Sequence, residues 1–290
     1  MAIAVGLSVM LEADFLGAAL PLFMADEVGA VEWSFDTGWS RAGVPAWLEG
    51  VLDEYAAADR LYGHGVHYSV LSGEWGGREE NWLHCLEQEL ASRRYRHVSE
   101  HFGFCSGGDF HRSAPLPVPF TTETLALGRA RLARLADVVG APVGLENLAL
   151  AFSAEDVAAH GRFLDELLAP DGFLLLDLHN LYCQACNFDV PAAELLAGYP
   201  LARVRELHVS GGSWQEAPSA PGRPIRRDTH DDSVPDAVYD LLATVIPRCP
   251  NLEVVIYERL GGTIADDTAD ETMRADYRRL LATVAACTAT

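Results

Sequence analysis

Imidazoles and carboxylates recur in this chain beside short apolar runs. They are His64 in GHGVH, His101 in SEHF, Glu146 in GLEN, Asp177 and His179 in LLLDLHN, His208 in ELHVSGG, Asp228 and His230 in DTHDD, and Glu258 in IYERLGG. Such donors, without thiolate, suit iron, manganese or zinc, and suit magnesium less because it seldom uses several histidines. Taken singly, a histidine at a strand end is most often a satisfied structural residue. Together, four carboxylates and five histidines crowded into one opening would be costly through repulsion and lost solvation unless cations neutralised them. Nine donors also exceed what one ion holds, so two or three ions are expected. Glu146, central in strand order, is the candidate bridge between them, and Glu146, Asp177 and His208 form the candidate catalytic set.

Residues so far apart in the chain meet only if the backbone returns repeatedly to one place. Eight short apolar runs of strand character do this: Ile3–Val9, Ala30–Phe35, Leu61–Val66, His97–Phe102, Pro142–Glu146, Phe173–Leu178, Val204–Val209 and Glu253–Glu258. Between them lie stretches of helical periodicity, among them Pro45–Ala58, Glu80–Arg94, Thr122–Val139, Ala154–Leu168, Pro235–Ile246 and Glu271–Ala285. Strands separated by helices run parallel. Eight such units with nearly all-apolar strand interiors predict an α/β fold, a closed (β/α)8 TIM barrel, as one domain over residues 1–290. The donors then fall at the C-terminal ends of successive strands, which converge on one mouth. Two long connections reach the same face, Cys105–Phe120 and Ser210–Arg227. They are candidate substrate covers or, equally, structureless loops.

The set GHGVHYS, SEHFGF, GLENL, LLLDLHNLY, ELHVSGG, DTH and YERLGG resembles the multinuclear non-heme iron-dependent oxidative enzymes, once a domain of unknown function (DUF692), which include the methanobactin biosynthesis oxidase. The likeness runs from the third strand to the eighth, and its order and spacing are specific. It implies a barrel holding two or three iron ions, Fe2+ and Fe3+, with dioxygen as co-substrate. It also implies a cysteine-bearing, ribosomally made precursor peptide as substrate, often delivered by a small companion protein that binds its leader. Carried over by position, the resemblance makes His64, His101, Glu146, Asp177, His208, Asp228, His230 and Glu258 ligands. His179 stands where many relatives have Asn, so either His179 or Asn180 could complete the third site. The segment EWSFDTGWS departs from the Glu-Asn-Tyr usual at the second strand's end, a difference that bears on substrate rather than metal. Asn147, Asn180, Tyr182, Arg226 and Arg227 are the candidate substrate-binding residues.

Composition excludes several rivals. All 21 cations are arginine, so mechanisms that need a lysine, Schiff-base aldolases and pyridoxal enzymes among them, are absent. Forty-two acids leave a net charge of −21, which opposes a nucleic-acid partner. Among metal-dependent barrels, a xylose-isomerase-like isomerase commonly needs a catalytic lysine, and an endonuclease-IV-like hydrolase must bind DNA. These remain the alternative readings, beside a non-catalytic binding module. No membrane association is expected, because no apolar run reaches the length a bilayer requires, and the apolar opening, interrupted by Glu12 and Asp14, lacks a basic n-region. A cytoplasmic location is expected, with six cysteines too sparse for a disulfide framework. Cys183 and Cys186 form a lone CxxC, read as ordinary reduced thiols. His67 is a candidate donor behind a ligand, while His84, His97, His111 and His160 read as structural or exposed.

Overall fold

The computed structural model describes residues 2–39, 44–217 and 221–289. In chain order its elements are β1 (Ala4–Val9), α1 (Ala13–Met24), β2 (Ala30–Trp33), α2 (Phe35–Gly38), α3 (Ala46–Ala57), β3 (Leu61–Gly65), α4 (Gly77–Ser92), β4 (Val98–His101), β5 (Phe104–Gly107) and β6 (Phe110–Leu116). They continue with α5 (Thr122–Val139), β7 (Val143–Glu146), α6 (Ala154–Leu167), β8 (Phe173–Asp177), α7 (Leu178–Phe188), α8 (Ala192–Ala197), β9 (Val204–Val209), β10 (Trp214–Glu216), β11 (Pro224–Arg226), α9 (Asp236–Val245), β12 (Val254–Tyr257) and α10 (Asp267–Thr288).

Eight strands close a barrel in the order β1-β12-β9-β8-β7-β4-β3-β2, every neighbouring pair parallel. These are the eight strands that the apolar runs predict, and the fold is a TIM barrel. Parallel register sets the donors level with one another: His101 lies beside Glu146, and Asp177 beside His208. The six expected helices form, stopped by ordinary devices. Thr121 and Ser153 cap α5 and α6 by accepting from Thr124 N and Asp156 N, and Gly140 ends α5 with φ +69°. Four further helices, α1, α2, α7 and α8, lie outside the expected set. In α7 the reason is that helix follows strand with no loop at all, so Phe173–Leu178 reads as one apolar run.

The covering connections are not structureless. Each folds into an antiparallel hairpin, β5–β6 over one side of the mouth and β10–β11 over another. Residues 218–220 of the second lie outside the described residues. Leucine, valine and aromatic side chains fill the layer between sheet and helices, while a small separate cluster of Ala30, Tyr62, Val254 and Ile256 plugs part of the barrel's interior. Among the described residues, no helix is long and apolar enough to cross a membrane.

Candidate metal centre

The first donor group closes around Glu146. His64 Nε2 and His101 Nε2 are 3.3 Å apart, and stand 3.3 and 3.1 Å from Glu146 Oε2. Two donors sharing an ion at about 2.1 Å and right angles would lie about 3.0 Å apart, so this spacing suits a shared cation. The surroundings fix which atoms are bare. Ser99 Oγ donates to the Gly63 carbonyl at 3.4 Å and lies 2.8 Å from His64 Nδ1. The hydroxyl therefore accepts from Nδ1–H and leaves the Nε2 lone pair pointing inward. Asn180 Nδ2 donates to Glu146 Oε1 at 3.0 Å, leaving Oε2 for the histidines.

Two more groups continue from the first in a chain, each sharing one residue with the group before. Glu146, Asp177 and His208 come within 4.8 Å of one another through one donor atom each, and so do Asp177, His230 and Glu258. Glu146 thus belongs to two groups and Asp177 to two. Asp177 also caps α7, its Oδ1 accepting from Asn180 N, while its backbone N–H donates to Asn147 Oδ1 at 2.7 Å. The strand-to-helix junction without a loop is what aims Asp177 Oδ2 into the mouth. His230 is held in a left-handed backbone conformation, φ 49°, unusual for a residue with a β-carbon.

These buried atoms lack hydrogen-bond partners: Glu146 Oε2, Asp177 Oδ2, His208 Nδ1, His230 Nε2 and Glu258 Oε2. They nevertheless lie close together, His208 Nδ1 3.1 Å from Glu258 Oε2 and His230 Nε2 2.8 Å from Asp228 Oδ1. Bare donors each leave about 1–3 kcal/mol of desolvation uncompensated. The crowding shows in the acidities. Burial, then the charges of Asp228, Glu146 and Glu258, drive Asp177 well above the carboxylate range. Against burial, Glu146 and Glu32 raise His64 to about 9. Among the described residues no arginine lies within 4.0 Å of the carboxylates of Glu146, Asp177, Asp228 or Glu258; their ion-pair neighbours are histidines. Multivalent cations fit this donor set.

His179 sits differently from the other expected ligands. Its Nδ1 is 3.0 Å from Asp228 Oδ1 and its Nε2 accepts from Arg226 Nε at 3.3 Å, so both ring nitrogens are engaged. Asn180 keeps a buried Oδ1 without a partner. Of the expected substrate residues, Asn147 spends its amide on the Asp177 backbone, donating to Asp177 O at 3.0 Å as well as accepting. Tyr182 and Trp214 flank the Arg226 guanidinium, and Arg227 reaches Gln215 on the surface. Gly212 is required where it stands, since a β-carbon there would lie 2.1 Å from the Arg227 carbonyl and 2.9 Å from the His179 ring. Cys183 is buried 3.9 Å from the His179 ring nitrogens. His67 turns away from the mouth to Asp36, at 3.4 Å, and stacks on His111.

Sequence reasoning missed two residues, Glu32 and Glu206, both fully buried in the barrel. Glu32 Oε2 lies 3.0 Å from His208 Nε2, which leaves Nδ1 as the bare nitrogen, and Glu206 Oε2 lies 2.8 Å from His97 Nε2. Together Glu32, Glu206 and His208 form a further group of closely spaced donors. The available signal was alternation: Glu206 is two residues before His208 on the same strand and so shares its face.

A cavity of about 490 Å³ opens beside the donors, with His101, Asn180 and Asp228 on its lining. A larger one, about 920 Å³, lies between α5 and α6 at the strands' other ends, around Val143 and Gly172.

Fold and donors define a TIM barrel with clustered candidate metal ligands at its C-terminal mouth. Solved barrels share the architecture: an IolI protein with a bound zinc atom superposes over 99% of this chain and all of its own, TM-score 0.62 at 12% identity. An L-ribulose 3-epimerase does so over 99% and 96%, TM-score 0.60 at 13% identity. At such identities the likeness is one of fold alone. Sequence similarity is narrower. The family of RiPP precursor modification enzymes MbnB/TglH/ChrH matches residues 40–274. A UPF0276 protein of Caulobacter vibrioides is 36% identical over 237 residues, 81% of this chain and 78% of its own, and one of Rhizobium meliloti is 30% identical over 82% and 76%. The chain belongs to the MbnB/TglH/ChrH family of RiPP precursor modification enzymes.

Proposed function

We propose that this protein is an iron- and dioxygen-dependent oxidase that modifies a cysteine residue of a ribosomally made precursor peptide, with a small leader-binding companion protein as partner. The observation that carries the reading is the overlap of three donor groups through Glu146 and Asp177. Two histidines and one carboxylate at His64, His101 and Glu146 are the ligand set of non-heme iron oxygenases, and shared carboxylates suit neighbouring ions. Iron held there would supply one-electron chemistry toward dioxygen and Lewis acidity toward a thiol.

The chain's own residues do the rest. His64, His101, Glu146, Asp177, His208, Asp228, His230 and Glu258 hold the ions, with Asn180 Oδ1 rather than His179 as the additional donor. Ser99 and Glu32 fix the tautomers of His64 and His208. Asn147 and Asn180 orient Asp177 and Glu146. Phe102 and Leu148 dry the cavity wall, and Tyr182, Arg226 and Arg227 meet the peptide. The cysteine is oxidised and dioxygen accepts its electrons. The test is to load the protein anaerobically with ferrous iron, add a panel of cysteine peptides, and admit oxygen. Oxygen uptake with a changed peptide mass is expected; unchanged masses throughout would overturn the reading.

A further inference from the structure

The cavity at the mouth has two unlike walls. One is apolar, with Phe102, Leu148 and the exposed Phe152; the other carries Arg223, Arg226 and Arg227. The chain has 42 acids and 21 arginines, and among the described residues nine of those arginines have a carboxylate within 4.0 Å. Among the described residues, none of these three has a carboxylate within 4.0 Å. Arg223 is spent on the Asn187 carbonyl and Arg227 on Gln215.

Arg226 is the distinctive member. It is only 6% exposed, and its guanidinium carbon sits 5.6 Å from the Tyr182 ring centroid and 5.5 Å from that of Trp214. The backbone N–H donates to Asn187 Oδ1 at 2.7 Å, and Nε donates to His179 Nε2 at 3.3 Å. Its two Nη groups donate to no protein atom among the described residues. A buried, oriented fork with four free N–H bonds facing a cavity is built to receive a planar oxyanion through two parallel hydrogen bonds. Holding such a charge unpaired costs more than its aromatic flanks return, unless a ligand completes it.

We propose that this pocket recognises a carboxylate that the substrate carries next to its reacting residue, and that Arg226 is the specificity-determining contact. The inference rests on the peptide reading above, because a peptide offers this group from only two sources, an Asp or Glu side chain or its own C-terminus. Through His179, whose other nitrogen meets Asp228, Arg226 is also tied to the donor cluster.

The experiment measures binding under nitrogen, on metal-loaded protein, by fluorescence anisotropy. Three labelled peptides serve as probes: Ala-Cys-Asp-amide, Ala-Cys-Asn-amide, and Ala-Cys-Asn with a free C-terminus. At least one carboxylate peptide is expected to bind about tenfold more tightly than the neutral one, and which of the two does so identifies the source. In Arg226→Gln that preference falls to within twofold. Equal binding of all three peptides by the unsubstituted protein overturns the proposal, as does a preference retained in Arg226→Gln. Should Arg226→Gln fail to fold or to keep its metal, Arg226→Lys, which retains charge without the fork, is expected to lose most of the preference; full retention also overturns the proposal. Since no oxygen is present, a carboxylate preference without later turnover removes only the oxidase reading, and turnover without a preference removes only this one.

Discussion

Among the proposed ligands Glu32 pairs with His208, and it decides which nitrogen of that residue is bare. With its Oε2 3.0 Å from His208 Nε2, Nδ1 is left facing Glu258. Carboxylates behind metal-binding histidines commonly contribute 10–100-fold in metal affinity. Glu32→Leu, which keeps bulk and removes the acceptor, is therefore expected to weaken the most affected metal equivalent by about that factor in a chelator competition titration. Unchanged affinities would show that His208 is oriented by something else. At this scale the sequence was legible where donors ended strands, as with His101 and Glu146. It was illegible where a carboxylate sat inside a strand, as with Glu32 in AVEW, or where a neighbour used up both nitrogens, as Asp228 and Arg226 do to His179.

Elements carry a second set of consequences. On α6, His160 is buried against the rings of Phe102, Phe120 and Tyr199, and its Nδ1 accepts from Gln184 Nε2 at 3.0 Å. Burial pushes its pKa down to about 4, below the ordinary 6.5. Above pH 6.5 neither the folded nor the unfolded state binds this proton, so stability is unaffected. As the pH falls from 6.5 to 4 the unfolded chain takes a proton the folded protein refuses, at a cost of about 3 kcal/mol, and below 4 the loss levels off. In His160→Asn, which still accepts from Gln184, chemical denaturation between pH 7 and pH 4 is expected to show that much less loss of stability; an identical acid limb would contradict the assignment. Strand-and-helix alternation was readable because parallel barrel strands are apolar on both faces. The β10–β11 hairpin was not, since strands as short as Trp214–Glu216 and Pro224–Arg226 leave too few residues for alternation to register. Helix α7 was hidden because Asp177 ends the strand and caps the helix at once.

For the whole molecule, cations bound at the barrel's mouth would offset the crowding of its buried carboxylates and imidazoles. A ligand present at about a thousand times its dissociation constant stabilises by about 4 kcal/mol, or roughly 5–10 °C in a chain of this size. Exhaustive chelation is thus expected to lower the melting temperature by at least that much, and restoring metal to recover it; a melting curve indifferent to chelation would mean the donors are satisfied without metal. The net charge of −21 makes the arginine-lined side of the mouth electrostatically distinct from the rest of the surface. What most directly tests the account is the metal itself: elemental analysis with Mössbauer spectroscopy on protein purified without added metal. More than one iron per chain, with ions coupled through shared carboxylates, is the result the account predicts. One equivalent of zinc and no iron, in protein that carries out its reaction, would contradict it.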